Sequence, residues 1–326
     1  MVAVLRRAGF YLLALWAAVT VNFVVPRLMP GDPATALVGR LQGKLDAAAL
    51  EALRTSFGLS DAPWWRQYLD YLGAVARGDL GVSIAFFPAP VTEVVGGALA
   101  WTVLLAGTAT LLSFVIGSAL GVLVAWRRSG RLDAWLPPLL VLLGAFPYFW
   151  LAMLAVHVLG FELGWFPVRH AYDASVSPGW TWAFLASAVR HAVLPALTLV
   201  VATVGSWTLG MRSVALGVLG EPWLDHAHAR GLPPSRIAWA YVARNALLPQ
   251  LAGFGMALGY VLGGALLTEV VFAWPGTGHL MLQAVRAQDQ ALLQGLFLAV
   301  SVGVIGANAL VDGLTAWLDP RVRRAA

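Results

Sequence analysis

Cysteine is missing altogether from the 326 residues, lysine occurs once, and charged side chains make up only 11% of the chain. The first absence removes disulfides, thiolate metal sites and a cysteine nucleophile, and leaves the redox compartment open. The second leaves Lys44, in "GRLQGKL", as the sole candidate for a phosphate-cradling lysine. Its glycine spacing is one residue short, and Leu45 stands where a Ser or Thr would hold magnesium, so the chain is expected to bind no nucleotide itself. The third absence excludes a water-soluble molecule. Soluble domains carry about 25% charged residues, and a chain that is 60% hydrophobic could not cover its surface. The net charge of +5 does not indicate nucleic acid, because the arginines stand beside apolar runs rather than in a cluster interleaved with aromatics.

What the chain has instead is long apolar runs, several exceeding the roughly 20 residues that cross a bilayer. Six spans are expected, near 9–28, 99–126, 135–160, 192–218, 247–272 and 292–318. The first follows Arg6-Arg7 and resembles a signal peptide, but its apolar run is too long and no small-residue cleavage pattern follows, so it is expected to be retained. The domain reading is a first transmembrane helix over 1–29, a helical insert over 30–97, and a five-helix core over 98–326 with a polar loop at 219–246. The insert holds two amphipathic stretches, "LDAAALEALRTSFGL" and "WWRQYLDYLGAVA", separated by a helix-start signal, "SDAP".

Arginine placement orients the whole. Twelve of the 21 Lys and Arg, from Arg6 and Arg7 through Arg127, Arg128, Arg131, Arg212, Arg230, Arg236 and Arg244 to Arg321, Arg323 and Arg324, fall on one side of a six-span chain in short segments. By the positive-inside rule both termini are cytoplasmic and the insert lies outside. Glycines four apart, Gly117 and Gly121 in the second span and Gly255, Gly259 and Gly263 in the fifth, predict close helix packing. Pro147 and Pro195 lie inside predicted spans and predict kinks.

The search for chemistry returns little. Ser113, Ser118 and Ser206 lie in spans without a nucleophile elbow, and His157 stands alone among apolar residues. His226 and His228 are two apart and point to different helix faces, so no metal site is expected. Glu269 and Asp312 are ionisable residues that lie near span ends. In "TEVVFAWPGTGHLM", Trp274-Pro275-Gly276 cannot continue a membrane helix and Gly278 offers a second bend. The chain is expected to turn there at the outer mouth of a pathway, with Glu269 facing the bundle. Pro147, Glu269, Trp274, Pro275 and Gly276 are therefore the pathway and gate candidates.

The second half also holds a polar hinge, "HARGLPPSRIAWAYVARNALLP". "DHAHARGL" predicts a short helix ended by Gly231 in the left-handed conformation. Pro233 and Pro234 cannot continue that helix but can open the next. In the second helix Arg236, Ala240 and Arg244 share a face. A loop that only anchors a membrane protein needs no such rigid elbow, which is shaped as a lever for another protein to push.

At this point the sequence resembles the inner-membrane permease subunits of ABC importers of the dipeptide/oligopeptide type. In that family an "EAA…G" loop forms a coupling helix seated on the ATPase. Here Asp225, His226, Ala227 and Gly231 occupy its places, and the coupling segment runs over Asp225, His226, Ala227, His228, Ala229, Arg230, Gly231 and Leu232. The resemblance continues in "MPGDPATAL", "FGLSDAPWWRQYLDYL", "RGDLGVS", "HAVLPALTL", "LGGALLTEVVFAWPGTGHLM" and "LDPRVRR", over essentially the whole chain. Asp225 and His226 depart from the usual loop; elsewhere Ala100-Trp101-Thr102 stand where the second span often begins with a Pro-x-Thr, and Ala145 stands where a serine is often found two before the proline of the third span.

The resemblance implies an all-α membrane protein with the six-helix fold of type I ABC importer permeases and a helical extracytoplasmic insert between helices 1 and 2. It implies a non-enzymatic transport subunit in the bacterial inner membrane. The implied partners are membrane lipid, a homologous second permease, two ATPases that bind the ATP and magnesium, and an extracytoplasmic solute-binding protein. This chain itself is expected to bind no cofactor, metal or nucleic acid. Peptides are the favoured substrates, with oligosaccharides next. The alternatives from other classes, a membrane-embedded enzyme or a secondary transporter, would need a polar cluster at one depth or paired charges within spans. Neither is expected within these span bounds.

Overall fold

A computed structural model describes residues 2–28, 62–128, 130–261 and 265–318. Every regular element among them is helical, and the one extended pairing is an isolated bridge between Val82 and Pro90. The first amphipathic stretch of the insert, Gly263, and the arginines at 321, 323 and 324 lie outside the described residues, as does the side chain at 312. The chain divides into two compact units, Met1–Thr102 with Leu262–Leu266 and Pro275–Ala326, and Val103–Val261 with Leu267–Trp274.

In the first unit α1 (Val2–Arg27) is mostly apolar between Arg7 and Arg27 and packs on α12 (Gln290–Leu318). The expected second amphipathic stretch of the insert is α2 (Trp64–Ala76), with Pro63 at its N-cap. Its Tyr68 meets α1 through a 2.7 Å hydrogen bond with Thr20 and an edge-on contact with Phe23. Burial pushes the neighbouring Tyr71 hydroxyl up to about 12. Helix α3 (Val91–Thr102) places Val91, Val95 and Ala98 against Leu280 and Ala284 of α11 (Thr277–Arg286) and Leu292, Leu293 and Leu296 of α12. A Cβ on Gly295 would overlap Val91, so glycine is what lets α3 and α12 approach.

The second unit is built around α7 (Trp182–Leu219), a helix of 38 residues. Thr181 caps it by accepting from the Phe184 N–H. Alongside runs α4 (Thr108–Trp126), which follows α3 through a π-helical turn, Val103–Gly107. Ser113 faces Thr203 across a 2.8 Å hydrogen bond, a Cβ on Gly117 would come 2.5 Å from that of Trp207, and one on Gly121 would come 2.6 Å from that of Met211. The three pairs advance in step along both helices, so α4 and α7 are parallel. The expected Gly117/Gly121 packing surface is thus the face on which α7 lies.

On α7 also lies α5 (Arg131–Ala145), in the opposite direction. A Cβ on Gly205 would come 2.9 Å from the Leu140 carbonyl oxygen, and Arg212 pairs with Asp133. Helix α6 (Tyr148–Ala155) continues as a π-helix over Val156–Glu162. The remaining helices are α8 (Trp223–Ala229), α9 (Arg244–Val261) and α10 (Leu266–Val271).

These elements revise the expected spans. The second begins at Val91 rather than near 99, and the fourth at Trp182 rather than near 192. The third is no single kinked helix: α5 and α6 meet at 91°. Proline drives the residue before it out of the helical region, and Phe146 sits at φ −82°, ψ 135°, so Pro147 starts a new helix instead of bending an old one. Pro195, by contrast, lies within an uninterrupted α7. By length and composition four described helices can cross a membrane, and a fifth crossing results if the bent pair is one span.

Candidate functional site

The polar stretch 219–246 folds as an elbow. Helix α8 is short and two-faced. Its Leu224 and Ala227 are buried with Val122 and Ala125 of α4 and Met211 and Ala215 of α7, while Asp225, His226, His228, Ala229 and Arg230 are exposed. The helix ends as the glycine signal predicts. Gly231 takes φ +68°, its N–H donates to the His228 carbonyl at 2.9 Å, and the Leu232 N–H reaches back to Ala227 at 3.4 Å. This pair of bonds around a left-handed residue is the Schellman arrangement. Pro233 then caps a new helical start at Pro234–Arg236.

Beyond that restart the chain departs from the expected regular helix. Ile237–Ala243 is π-helical, and α9 begins only at Arg244. Arg236, Ala240 and Arg244 are nevertheless all exposed, while Ile237, Val242 and Ala246 join the same buried cluster as Leu224 and Ala227. The elbow is thus bolted by an apolar inner face to the ends of α4 and α7, and it offers a polar outer face with both histidines and Arg230. Among the described residues no group of three metal-ligating side chains is found, and His228 Nδ1 lies 2.9 Å from the Leu224 carbonyl of its own helix.

The second candidate region is the end of α10. Glu269 is fully buried, as is Trp274. The helix stops at another Schellman turn: the Trp274 N–H donates to the Glu269 carbonyl at 2.8 Å and the Ala273 N–H to Val270 at 3.2 Å. Here the left-handed position is held by Ala273, at φ +46°, one residue ahead of the Trp274-Pro275-Gly276 segment that the sequence marks as the turn. Gly278 makes no second bend. It lies in the first turn of α11, behind Gly276, the extended N-cap residue. The Thr268 hydroxyl, next to Glu269, is buried without a hydrogen-bonding partner among the described residues. Pro147 stands apart from this turn in the sequence, exposed at the α5–α6 break.

Two carboxylates that sequence reading did not single out are firmly placed. Asp133 accepts from both Nε and Nη2 of Arg212, at 2.9 and 2.6 Å, across 79 residues. Asp289 is fully buried. Its Oδ1 caps α12 by accepting from the Leu292 N–H at 3.0 Å, and its Oδ2 accepts from Ser83 Oγ at 2.6 Å and the Ala85 N–H at 2.9 Å. An aspartate immediately before an apolar run is a helix-start signal, and it could have marked Asp289. Of the lone polar residues, His157 lies 3.9 Å from Glu162, the spacing of five that a π-helix stacks on one face, and both are two-thirds exposed.

Comparison with known proteins places these features in a wider group. The family described as "Binding-protein-dependent transport system inner membrane component" matches residues 117–324. The di/tripeptide transport system permease protein DppB of Pseudomonas aeruginosa is 33% identical over 98% of this chain and 97% of its own length. The probable D,D-dipeptide transport system permease protein DdpB of Escherichia coli is 34% identical, with 99% and 98% covered. The glutathione transport system permease protein GsiC of Pectobacterium atrosepticum is 33% identical over 92% of each chain.

Proposed function

This chain belongs to the family of binding-protein-dependent transport system inner membrane components, and from that membership we propose how its parts divide the work. It is a permease subunit of an ABC importer, a multi-pass inner-membrane protein that is not itself an enzyme. It works with ATPase and binding-protein partners. Our proposal is that it forms half of a translocation pathway for small peptides beside a homologous permease, with two ATPases below and the binding protein outside. ATP and magnesium are held by the ATPases. Six spans are reached by counting the bent α5–α6 pair as one crossing and α9 as another. Both termini are then cytoplasmic, and 30–97 is an extracytoplasmic helical insert.

The observation that carries this reading is the elbow. A helix of seven residues is fixed by two buried side chains to two long helices, turned by a left-handed glycine and restarted by two prolines. Such a part transmits a push without unfolding. We assign the exposed Asp225, His226, His228, Ala229 and Arg230, with Ala227, Gly231 and Leu232 shaping the helix, to the ATPase contact. Buried Glu269 and the orphan Thr268 hydroxyl, with Trp274, Pro275 and Gly276, support an outer gate; Pro147 supports the bend of the third crossing.

Peptides are proposed as substrates because the relatives' names are those of dipeptide and glutathione systems. The test is uptake into vesicles holding the complete complex with its binding protein. ATP-dependent accumulation of a labelled di- or tripeptide is expected. Accumulation of an oligosaccharide in preference to any peptide would remove the substrate assignment.

A further inference from the structure

The mechanism needs the push on α8 to reach helices outside the buried cluster that holds it, and α5 contributes no residue to that cluster. We propose that the Asp133–Arg212 ion pair is the positioning contact that makes α5 move with α7 when the coupling helix is driven. This rests on the permease reading above. Four observations carry it.

First, Arg212 closes a stretch of α7 that carries no Asp, Glu, Lys or Arg after Arg190. From Arg190 to Arg212 is 22 residues, about 33 Å at 1.5 Å per residue, close to the ~30 Å of a hydrocarbon core. Second, the pair is partly withdrawn from water, with the Asp133 side chain 15% and the Arg212 side chain 30% exposed. Two guanidinium nitrogens on one carboxylate oxygen fix direction as well as distance. Asp133 also lies in the first turn of α5, where the helix end favours a negative charge.

Third, the pair is one of two fastenings in a single antiparallel register. Leu140 against Gly205 lies seven residues along from Asp133 against Arg212 on each helix, two turns away. Two fastenings that far apart stop α5 from swinging about either one. Beyond them the chain breaks at Phe146–Pro147 and turns by 91°. Fourth, Arg212 follows Met211 directly, and Met211 and Ala215 are the α7 residues buried with Leu224 and Ala227 of α8. A load entering through α8 therefore meets the ion pair within one turn of where it reaches α7.

The test uses the whole complex in vesicles with its binding protein, comparing the wild type with Asp133→Asn, Arg212→Gln, and the swap Asp133→Arg with Arg212→Asp. The readout is peptide imported per ATP hydrolysed, for equal amounts of assembled complex. Each single change is expected to lower this ratio by about 5–10-fold, within the range over which one site acts on another, and the swap to recover most of it. An unchanged ratio in the single variants overturns the inference. A loss confined to the yield of complex does so too, since that is what a purely structural pair would produce. A swap that remains as uncoupled as the single changes also overturns it. Absence of ATP-dependent uptake in the unmutated complex is a different failure and would overturn the permease reading itself.

Discussion

Glycines in this chain answer two different demands, and substitution separates them. At Gly231 the demand is conformational: nothing lies within 4 Å of where a Cβ would stand, yet φ is +68°. A β-branched residue resists that region, at a cost of about 1–2 kcal/mol for an ordinary L-residue, while asparagine tolerates it better. Gly231→Val is therefore expected to leave the complex assembled but to uncouple ATP hydrolysis from uptake, with Gly231→Asn milder. Equal and normal transport by both would count against the lever. At Gly121 the demand is steric, because a Cβ would stand 2.6 Å from both Met211 Cβ and the Thr208 carbonyl oxygen. Gly121→Ala should separate α4 from α7 and cost about 1–3 kcal/mol, as overpacking does. A lowered melting temperature of the purified complex checks it, with Gly306→Ala, where a Cβ meets nothing within 4 Å, as the neutral control.

Among the elements, the start of α12 depends on one buried carboxylate. Asp289 caps the helix and holds the Ser83–Ala85 segment, so its removal loses a cap and strands buried donors. A lost cap costs about 0.5–2 kcal/mol, and each buried donor left unsatisfied about 1–3 kcal/mol. Asp289→Ala is expected to destabilise the complex well beyond Asp289→Asn, which keeps an acceptor oxygen; hydrogen exchange over 79–92 should quicken in the alanine variant first. Similar melting and exchange in the two variants would show that the network does not carry this load. At α10 the buried Glu269 invites a parallel test. Glu269→Gln should leave assembly intact and reduce uptake if the carboxylate lines the pathway, whereas poor assembly would assign it to holding the turn.

For the molecule as a whole, the absence of cysteine is an experimental advantage. Single cysteines introduced at Trp180 or Arg66 should be labelled by an impermeant maleimide added to intact cells, and those at Arg128 or His226 only after permeabilisation. Labelling of position 226 from outside would reverse the proposed orientation and take the coupling assignment with it. The same reagents, as crosslinkers placed at 66 and 69 on α2, test whether the insert touches the binding protein. Trp64, Trp65 and Leu69 are exposed there, which is the apolar surface such a contact would use.

Composition and pattern alone determined that this protein lives in a membrane, and that residues 225–236 form a helix, a left-handed glycine and a new helical start. Those are local properties: burial demand, φ preference and missing donors belong to the residue and its neighbours in the chain. The Gly117–Gly121 packing face was legible for the same reason. The partner of that face was not, because a four-residue glycine spacing does not say which helix it receives. Nor did the sequence show that Pro147 would separate two helices at 91° rather than bend one, since proline permits both and the surrounding packing chooses. The turn expected from Trp274-Pro275-Gly276 begins at a left-handed Ala273, fixed by the Ala273 N–H on Val270 and the Trp274 N–H on Glu269. Asp133 with Arg212, and Asp289 with Ser83, are 79 and 206 residues apart. Only the folded chain brings such charges and donors into hydrogen-bonding reach, because out of water each is stable only beside the other.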